Sequence, residues 1–342
     1  MLEEEIYSMP AEWEEHERTF IQWPVREALI TPENYEEVCA GYAEVANAIA
    51  EFEPVSLLVC PGDETKARAL CSEGVELLPI PHNDGWVRDN GPTFVRNAHQ
   101  KLAGIHWGFN AWGGKYQPCD LDRAAATAIL SHFRVPCAEA PFVLEGGSIH
   151  TDGEGTLLTT RQCLLNPNRN PSLSQENIEA YLKKYLNIQK ILWLDQGLFG
   201  DETDGHVDNL ACFARPGVIL LQTCSDRTDP NFAVSQENLQ ILAQSLDAQN
   251  RTLQTVEIPQ PPKRLYKGSR LTLSYLNFYF VNGGIILPVF GGDAKKTDER
   301  AEEILHSLFP KRRIRTVDGM KLIKEGGNVH CITQQMPCGL HG

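Results

Sequence analysis

Hydrophobic and polar positions change period repeatedly along the chain, and each change marks an element. Residues 18–23 read as a short strand stopped by Pro24. After the start signal Thr31-Pro32, Val38, Tyr42, Val45 and Ile49 recur at helical spacing, which predicts a helix over 33–52. Apolar runs at 55–59 and 77–80 predict buried strands. Further on come strands at 91–95 and 103–107, a helix over 120–133, and strands at 148–150 and 156–160 around the glycine-bearing turn Gly153-Glu154-Gly155. A helix over 173–186 and a strand at 191–194 follow. Next are strands at 209–213 and 218–221 around Pro216-Gly217, a helix over 235–248, strands at 276–281 and 285–289 around Asn282-Gly283-Gly284, and a helix over 298–308.

Strand, turn, strand, helix, strand thus recurs about five times with a period of roughly 60 residues, which suggests radial, propeller-like closure in which each unit buries its apolar face against its neighbours. Pro259-Gln260-Pro261-Pro262 is the strongest linker candidate, but its flanks read like neighbouring units. The expectation is one domain spanning 1–342.

Composition narrows the class. With 42% hydrophobic and 22% charged residues in 342, the chain can bury a sizeable core, and a disordered polypeptide is excluded. The start, Met1-Leu2-Glu3-Glu4-Glu5, is acidic, and no stretch approaches the roughly 18 apolar residues of a membrane span. A cytoplasmic protein with no membrane partner is expected. Ten cysteines are scattered without a Cys-x-x-Cys pair, which disfavours a thiolate zinc site and a disulfide framework, so most thiols should be buried and reduced. Cys60, Cys163, Cys212 and Cys224 lie in or beside apolar runs, where cysteine acts as a small hydrophobe. A net charge of −14, from 45 acids against 31 bases, disfavours a nucleic-acid partner and favours attraction of small cations. Lys311-Arg312-Arg313-Ile314-Arg315 reads as a solvated helix end or loop.

Two pairs of motifs echo each other. Glu145-Gly146-Gly147-Ser148-Ile149-His150 matches Glu325-Gly326-Gly327-Asn328-Val329-His330, and the residue that follows is Thr151 in one and Cys331 in the other. Asp84-Gly85-Trp86-Val87-Arg88-Asp89-Asn90 is echoed by Asp204-Gly205-His206-Val207-Asp208-Asn209. In a pseudo-symmetric ring, equivalent loops converge on the axis, so Asp89, Glu145, Asp208 and Cys331 would meet there. Paired carboxylates suit a planar guanidinium, which they hold by bidentate hydrogen bonds. A thiolate at Cys331 would attack the guanidinium carbon, and water would resolve the adduct. His206 would protonate the departing amine and then activate water, with Glu145 accepting its other ring proton.

Trp86-Val87-Arg88-Asp89, Leu144-Glu145-Gly146-Gly147, Glu202-Thr203-Asp204-Gly205-His206-Val207-Asp208-Asn209 and Gly326-Gly327-Asn328-Val329-His330-Cys331-Ile332-Thr333-Gln334-Gln335, in that order, resemble the agmatine deiminase and bacterial-type peptidylarginine deiminase family. Phe109-Asn110-Ala111-Trp112-Gly113-Gly114 extends the similarity, which covers nearly the whole chain. The resemblance implies an α/β fold, the five-bladed pseudo-symmetric α/β propeller (pentein fold) of ββαβ units. It implies Cys331 as nucleophile, His206 as acid and base, Asp89 and Asp208 as guanidinium clamps, and Glu145 as partner of the histidine. It also implies Trp86 along the substrate's alkyl stem, with Trp112 beside it, and a Gly327 carbonyl for a guanidinium N–H. Glu202 would meet the distal ammonium, with Asp204 an additional local acid. No metal or organic cofactor is implied, and a homo-oligomer, dimer or higher, is the expected assembly.

The leading expectation is hydrolysis of agmatine to N-carbamoylputrescine and ammonia. An alternative is deimination of another guanidine, such as a peptide's C-terminal arginine, which a short segment after Trp112-Gly113-Gly114 would accommodate by leaving the cavity open. Two further alternatives are a metal-dependent hydrolase built on His82, Asp84, Asp89, His206 and Asp208, and a non-catalytic polyamine-binding propeller.

Overall fold

Five sheets of three or four strands share one plan in the computed structural model, which describes residues 5–341; the acidic start at 1–4 lies outside them. In each, an antiparallel pair is followed by a helical crossover that lays a third strand parallel to the second. Thr93–Asn97 and Leu102–Gly108 pair in this way, helix Asp120–His132 crosses over, and Cys137–Val143 completes the sheet. Ile149–Thr151, Thr156–Thr160, helix Gln175–Leu186 and Lys190–Leu194 repeat the unit. So do Ala211–Arg215, Val218–Thr223, helix Pro230–Ala243 and Gln254–Pro259. The next copy comprises Tyr279–Val281, Gly284–Val289, helix Lys295–Leu308 and Arg313–Asp318.

The remaining blade joins both ends of the chain. Thr333–Pro337 pairs antiparallel with His16–Gln22, which runs parallel to Val55–Leu58 across helix Tyr35–Ala50. The closing strand therefore completes the sheet that His16–Gln22 opened, and the residues just before it, including Cys331, are held by long-range pairing. The fold is the expected five-bladed α/β propeller of ββαβ units. Helix Tyr35–Ala50 buries Val38, Tyr42, Val45 and Ile49, the positions its period singled out. Each aliphatic side chain so buried contributes roughly 1.5–3 kcal/mol.

Several expectations are corrected. The helix between Val218–Thr223 and Gln254–Pro259 runs Pro230–Ala243 rather than 235–248, because Asp229 caps it by accepting from the Asn231 N–H and Pro230 supplies its first turn. Residues 276–278 are irregular, and the strand begins at Tyr279. The basic cluster is neither helix end nor free loop: Arg313–Asp318 is a strand, Arg312 donates to the Val281 and Trp13 carbonyls at 2.7 Å, and Arg313 and Arg315 pair with Glu51. Cys137–Val143 and Gln254–Pro259 also went unforeseen. These outer strands are half-exposed and lack clean alternation, so their pattern is weak.

All ten cysteines are free, and seven are buried. Among the described residues, no helix is long and apolar enough to cross a membrane.

Candidate active site

Short helical turns at the inner end of the blades carry the chemistry. Val87–Asn90 holds Asp89, Glu145 precedes Gly146–Ser148, His206 precedes Val207–Asn209, which holds Asp208, and Cys331 follows Val329 and His330. The structure brings these five side chains together, each no more than 5% exposed. His206 lies between two carboxylates, with Nε2 3.6 Å from Glu145 Oε2 and Nδ1 3.8 Å from Asp89 Oδ1. Neither ring nitrogen has a hydrogen-bond partner. Cys331 Sγ is 3.6 Å from Asp208 Oδ2, and Asp208 Oδ1 is buried without a partner.

The charges set the resting state. Burial favours a neutral His206, but the Asp89 carboxylate, with Cys163 and Glu145 beside it, outweighs burial and holds the ring well above the usual histidine range. Burial, reinforced by Asp208 and Asp89, pushes the Cys331 thiol well above the usual thiol range. Asp89 is raised by burial despite His206. For Asp208 and Glu145 burial is overcome, by His330 in one case and by His206 and Arg169 in the other, and both lie low. The free site is thus a neutral thiol beside an imidazolium, with carboxylates aimed at the place between them.

Gly147 leaves that place open. A Cβ there would stand 2.6 Å from His206 Nδ1 and 2.9 Å from both Asp208 Oδ2 and Asp89 Oδ1, while its N–H donates to Asp89 Oδ1 at 2.9 Å. Gly147→Ala should therefore lower kcat/KM by about 10²-fold or more, since displacements near 1 Å have that effect. Steady-state ammonia release with a thermal melt as control checks it. Gly327 is also a matter of close approach: its own φ is ordinary, but a Cβ would meet the Trp86 ring at 2.4 Å, and the left-handed residue of the pair is Gly326.

A cavity opens over Cys331 and Asp89, and Trp86, Trp112, Gly327 and Glu202 all line it. Trp112 sits in the left-handed region, with φ of 54°, and donates from Nε1 to Asp89 Oδ2 at 2.8 Å. Glu202 is exposed at the mouth and accepts from the Tyr116 hydroxyl at 2.8 Å. Asp204 does not line the cavity, because Lys115 and Arg169 pair with it. Lys115 and Tyr116 thereby tie the segment after Gly114 to the Glu202 loop, so that wall is not left open.

Several participants were not foreseen. Asn277 Nδ2 donates to Cys331 Sγ at 3.1 Å, and its Oδ1 accepts from the His330 N–H at 2.9 Å, bracing the nucleophile's loop from the irregular stretch before Tyr279. Arg169 Nε is 2.7 Å from Glu145 Oε1. Asp84 and Glu325 add acids to the cavity wall. Burial pushes the Asp84 carboxyl up to about 8. The echo of Glu145 in Glu325 has diverged in role, as Glu325 Oε2 accepts from the Thr31 N–H.

The metal set entertained from sequence does not assemble. His82 directs Nδ1 and Nε2 at the Ile80 and Trp23 carbonyls, at 3.0 and 2.7 Å. Among the described residues, the group within ligating distance is Glu145, Cys163 and His206, where Glu145 is already paired with Arg169.

The family model for Porphyromonas-type peptidyl-arginine deiminases matches residues 8–337. An agmatine deiminase from Pseudomonas aeruginosa is 45% identical over 359 aligned positions, covering 97% of this chain and 95% of that one. The solved agmatine deiminase of Enterococcus faecalis superposes with a TM-score of 0.91 at 36% identity, covering 97% of this chain and 96% of its own. A cysteine-to-serine variant of a C. jejuni agmatine deiminase with substrate bound gives a TM-score of 0.90 at 30% identity, covering 99% of both chains.

Proposed function

Since the chain belongs to the Porphyromonas-type peptidyl-arginine deiminase family, we propose that it works as an agmatine deiminase, hydrolysing agmatine to N-carbamoylputrescine and ammonia. One observation carries the choice of substrate. The cavity has acidic groups at both ends, Asp89 within and Glu202 at the mouth, with the carboxyl groups of Asp84 and Glu325, both raised by burial, along the approach, and neither lysine nor arginine lines it. A dication fits that wall. A free or peptide C-terminal arginine would set its carboxylate against those acids with no cation to pair it.

Asp89 and Asp208 would clamp the guanidinium, with Asp208 Oδ1 an unpartnered acceptor at hand. Bringing a cation between these carboxylates offsets the charge that keeps Cys331 protonated, so the thiol passes its proton to solvent through the open cavity and the thiolate attacks the guanidinium carbon. His206, as imidazolium, gives its proton to one amino group, which leaves as ammonia and breaks the C–N bond. The resulting thiouronium is attacked by a water that gives one proton back to His206, and as the C–S bond breaks the adduct's hydroxyl proton passes to the departing sulfur, releasing the ureido product and restoring the thiol. Glu145 orients the ring and steadies its charge. Trp86 and Trp112 wall the alkyl stem.

Glu202→Gln keeps the shape of the mouth and removes its exposed charge. KM for agmatine should rise roughly 5- to 20-fold with kcat little changed, the range for one charged hydrogen bond partly open to water. Ammonia-release kinetics over agmatine, arginine and an arginyl peptide test this. Turnover of arginyl peptide faster than agmatine would sink the agmatine reading.

A further inference from the structure

Beneath Asp208 lies a buried chain of charges. His330 points Nδ1 at Asp208 Oδ2, 2.9 Å away, and Nε2 at Glu12 Oε2, 2.8 Å away. All three residues are no more than 6% exposed. Glu12 is itself fixed, because its Oε1 accepts from the Phe280 N–H at 3.2 Å. An imidazole with a carboxylate at each nitrogen satisfies both only by donating from both, that is, as imidazolium.

His150, the counterpart of His330 in the Glu145 repeat, makes the opposite choice. Its Nδ1 accepts from the Phe213 N–H at 3.2 Å, so that nitrogen carries no proton. The same position in two copies of one motif thus holds a neutral ring in one blade and a cation in the other, and the cation is the one bonded to a clamp.

We propose that His330, gripped by Glu12, is a positioning residue for the reaction: it holds Asp208 Oδ2, the oxygen that also faces Cys331 Sγ and the space beside Gly147, and so fixes the orientation of that carboxylate. This inference rests on the deiminase reading above. His330 touches neither substrate nor the bonds that change. It acts by holding Asp208 in one orientation and by supplying the positive charge that lets two clamp carboxylates and Glu145 share a dry site. The charged and titratable groups around it are Glu12 and Asp208 at the ring, Arg88 3.9 Å from Glu12 Oε2, and the neutral His150 4.0 Å from that same oxygen. Asp208 also faces His206 and Cys331. Removing the His330 charge leaves Arg88 and His206 as the cations facing Asp208.

His330→Asn places an amide N–H near Nδ1 and removes the charge. Asp208 lies low because His330 outweighs its burial, so without that cation it must gain protons at higher pH. Asp89, which already lies high, then titrates together with it. The acid limb of the kcat/KM profile for agmatine should move up by about one pH unit and steepen from one proton toward two. Activity at pH 6.5 should fall on the order of tenfold or more and recover toward pH 9. Glu12→Gln, which loosens the grip while keeping the shape, should move the limb the same way by less.

Nitrogen-15 shifts of the wild-type histidines at pH 7.5 give a readout independent of turnover, with both His330 nitrogens protonated. An unshifted acid limb in folded His330→Asn, or a neutral His330 ring in the wild type, overturns the proposal. Should His330→Asn fail to fold, the Glu12→Gln profile and the ring shifts decide. A wild type that releases no ammonia from agmatine would instead defeat the deiminase reading.

Discussion

Replacing Cys331 with alanine is expected to abolish ammonia release from agmatine, a loss on the order of 10⁵-fold or more, because removing the nucleophile of a covalent mechanism removes the path itself. No other thiol can substitute. Among the cavity-lining residues the sulfur belongs to Cys331, while Cys163 is buried behind Glu145, 4.0 Å from its Oε2. Binding should persist, since Asp89, Trp86 and Glu202 remain in place. Rapid-quench intact mass should reveal a covalent adduct in the wild type and none in Cys331→Ala; turnover by the alanine variant would rule out the thiol route.

The same site makes the thiol quiet until substrate comes. Burial and the two clamp carboxylates hold its pKa up, so the free protein presents a thiol at neutral pH. Alkylation by neutral iodoacetamide should therefore be slow at pH 7 and still climbing past pH 9, whereas turnover at neutral pH proceeds because the cationic substrate itself offsets the carboxylates.

The echoes in the sequence carried the site further than the elements carried the fold. Asp89, Glu145, Asp208 and Cys331 are separated by up to 242 residues in number and meet because each lies in the turn that leads into the first strand of its blade. Inner strands were legible because they are buried on both faces and strongly apolar, as in Val218–Thr223 and Gly284–Val289. Outer strands were not, because a half-exposed third strand such as Arg313–Asp318 needs few apolar residues and takes its register from its neighbour. Asn277 and Glu12 were invisible for another reason. Each acts from an irregular stretch through one side chain, and no periodicity or motif distinguishes a buried Asn or Glu with partners from an exposed one. Asp84 and Glu325 lay in plain view within the motifs, but what makes them matter is the cavity they share with Glu202, which only tertiary packing creates.

Asp89→Asn is the second variant with a large expected effect, and the structure says why it should exceed an ordinary loss of charge. Asp89 accepts from two buried donors, the Gly147 N–H on Oδ1 and Trp112 Nε1 on Oδ2. An amide has one oxygen, so its NH₂ must face one of those donors and leave it unpaired, at about 1–3 kcal/mol. The substrate cation then enters a dry site that has lost one of its carboxylates, and His206 loses the carboxylate that does most to keep it charged. That second change weakens the proton donor for the departing ammonia as well as the clamp, so kcat and KM should both suffer. We expect kcat/KM to fall by about 10³–10⁴-fold, combining a lost buried ion pair with a mispoised general acid. Asp208→Asn should be milder on the fold, because it can still turn its one oxygen to the His330 Nδ1–H. Kinetics and thermal melts of both variants check the ranking, and an Asp89→Asn protein within tenfold of the wild type would mean that Asp89 does not clamp the guanidinium.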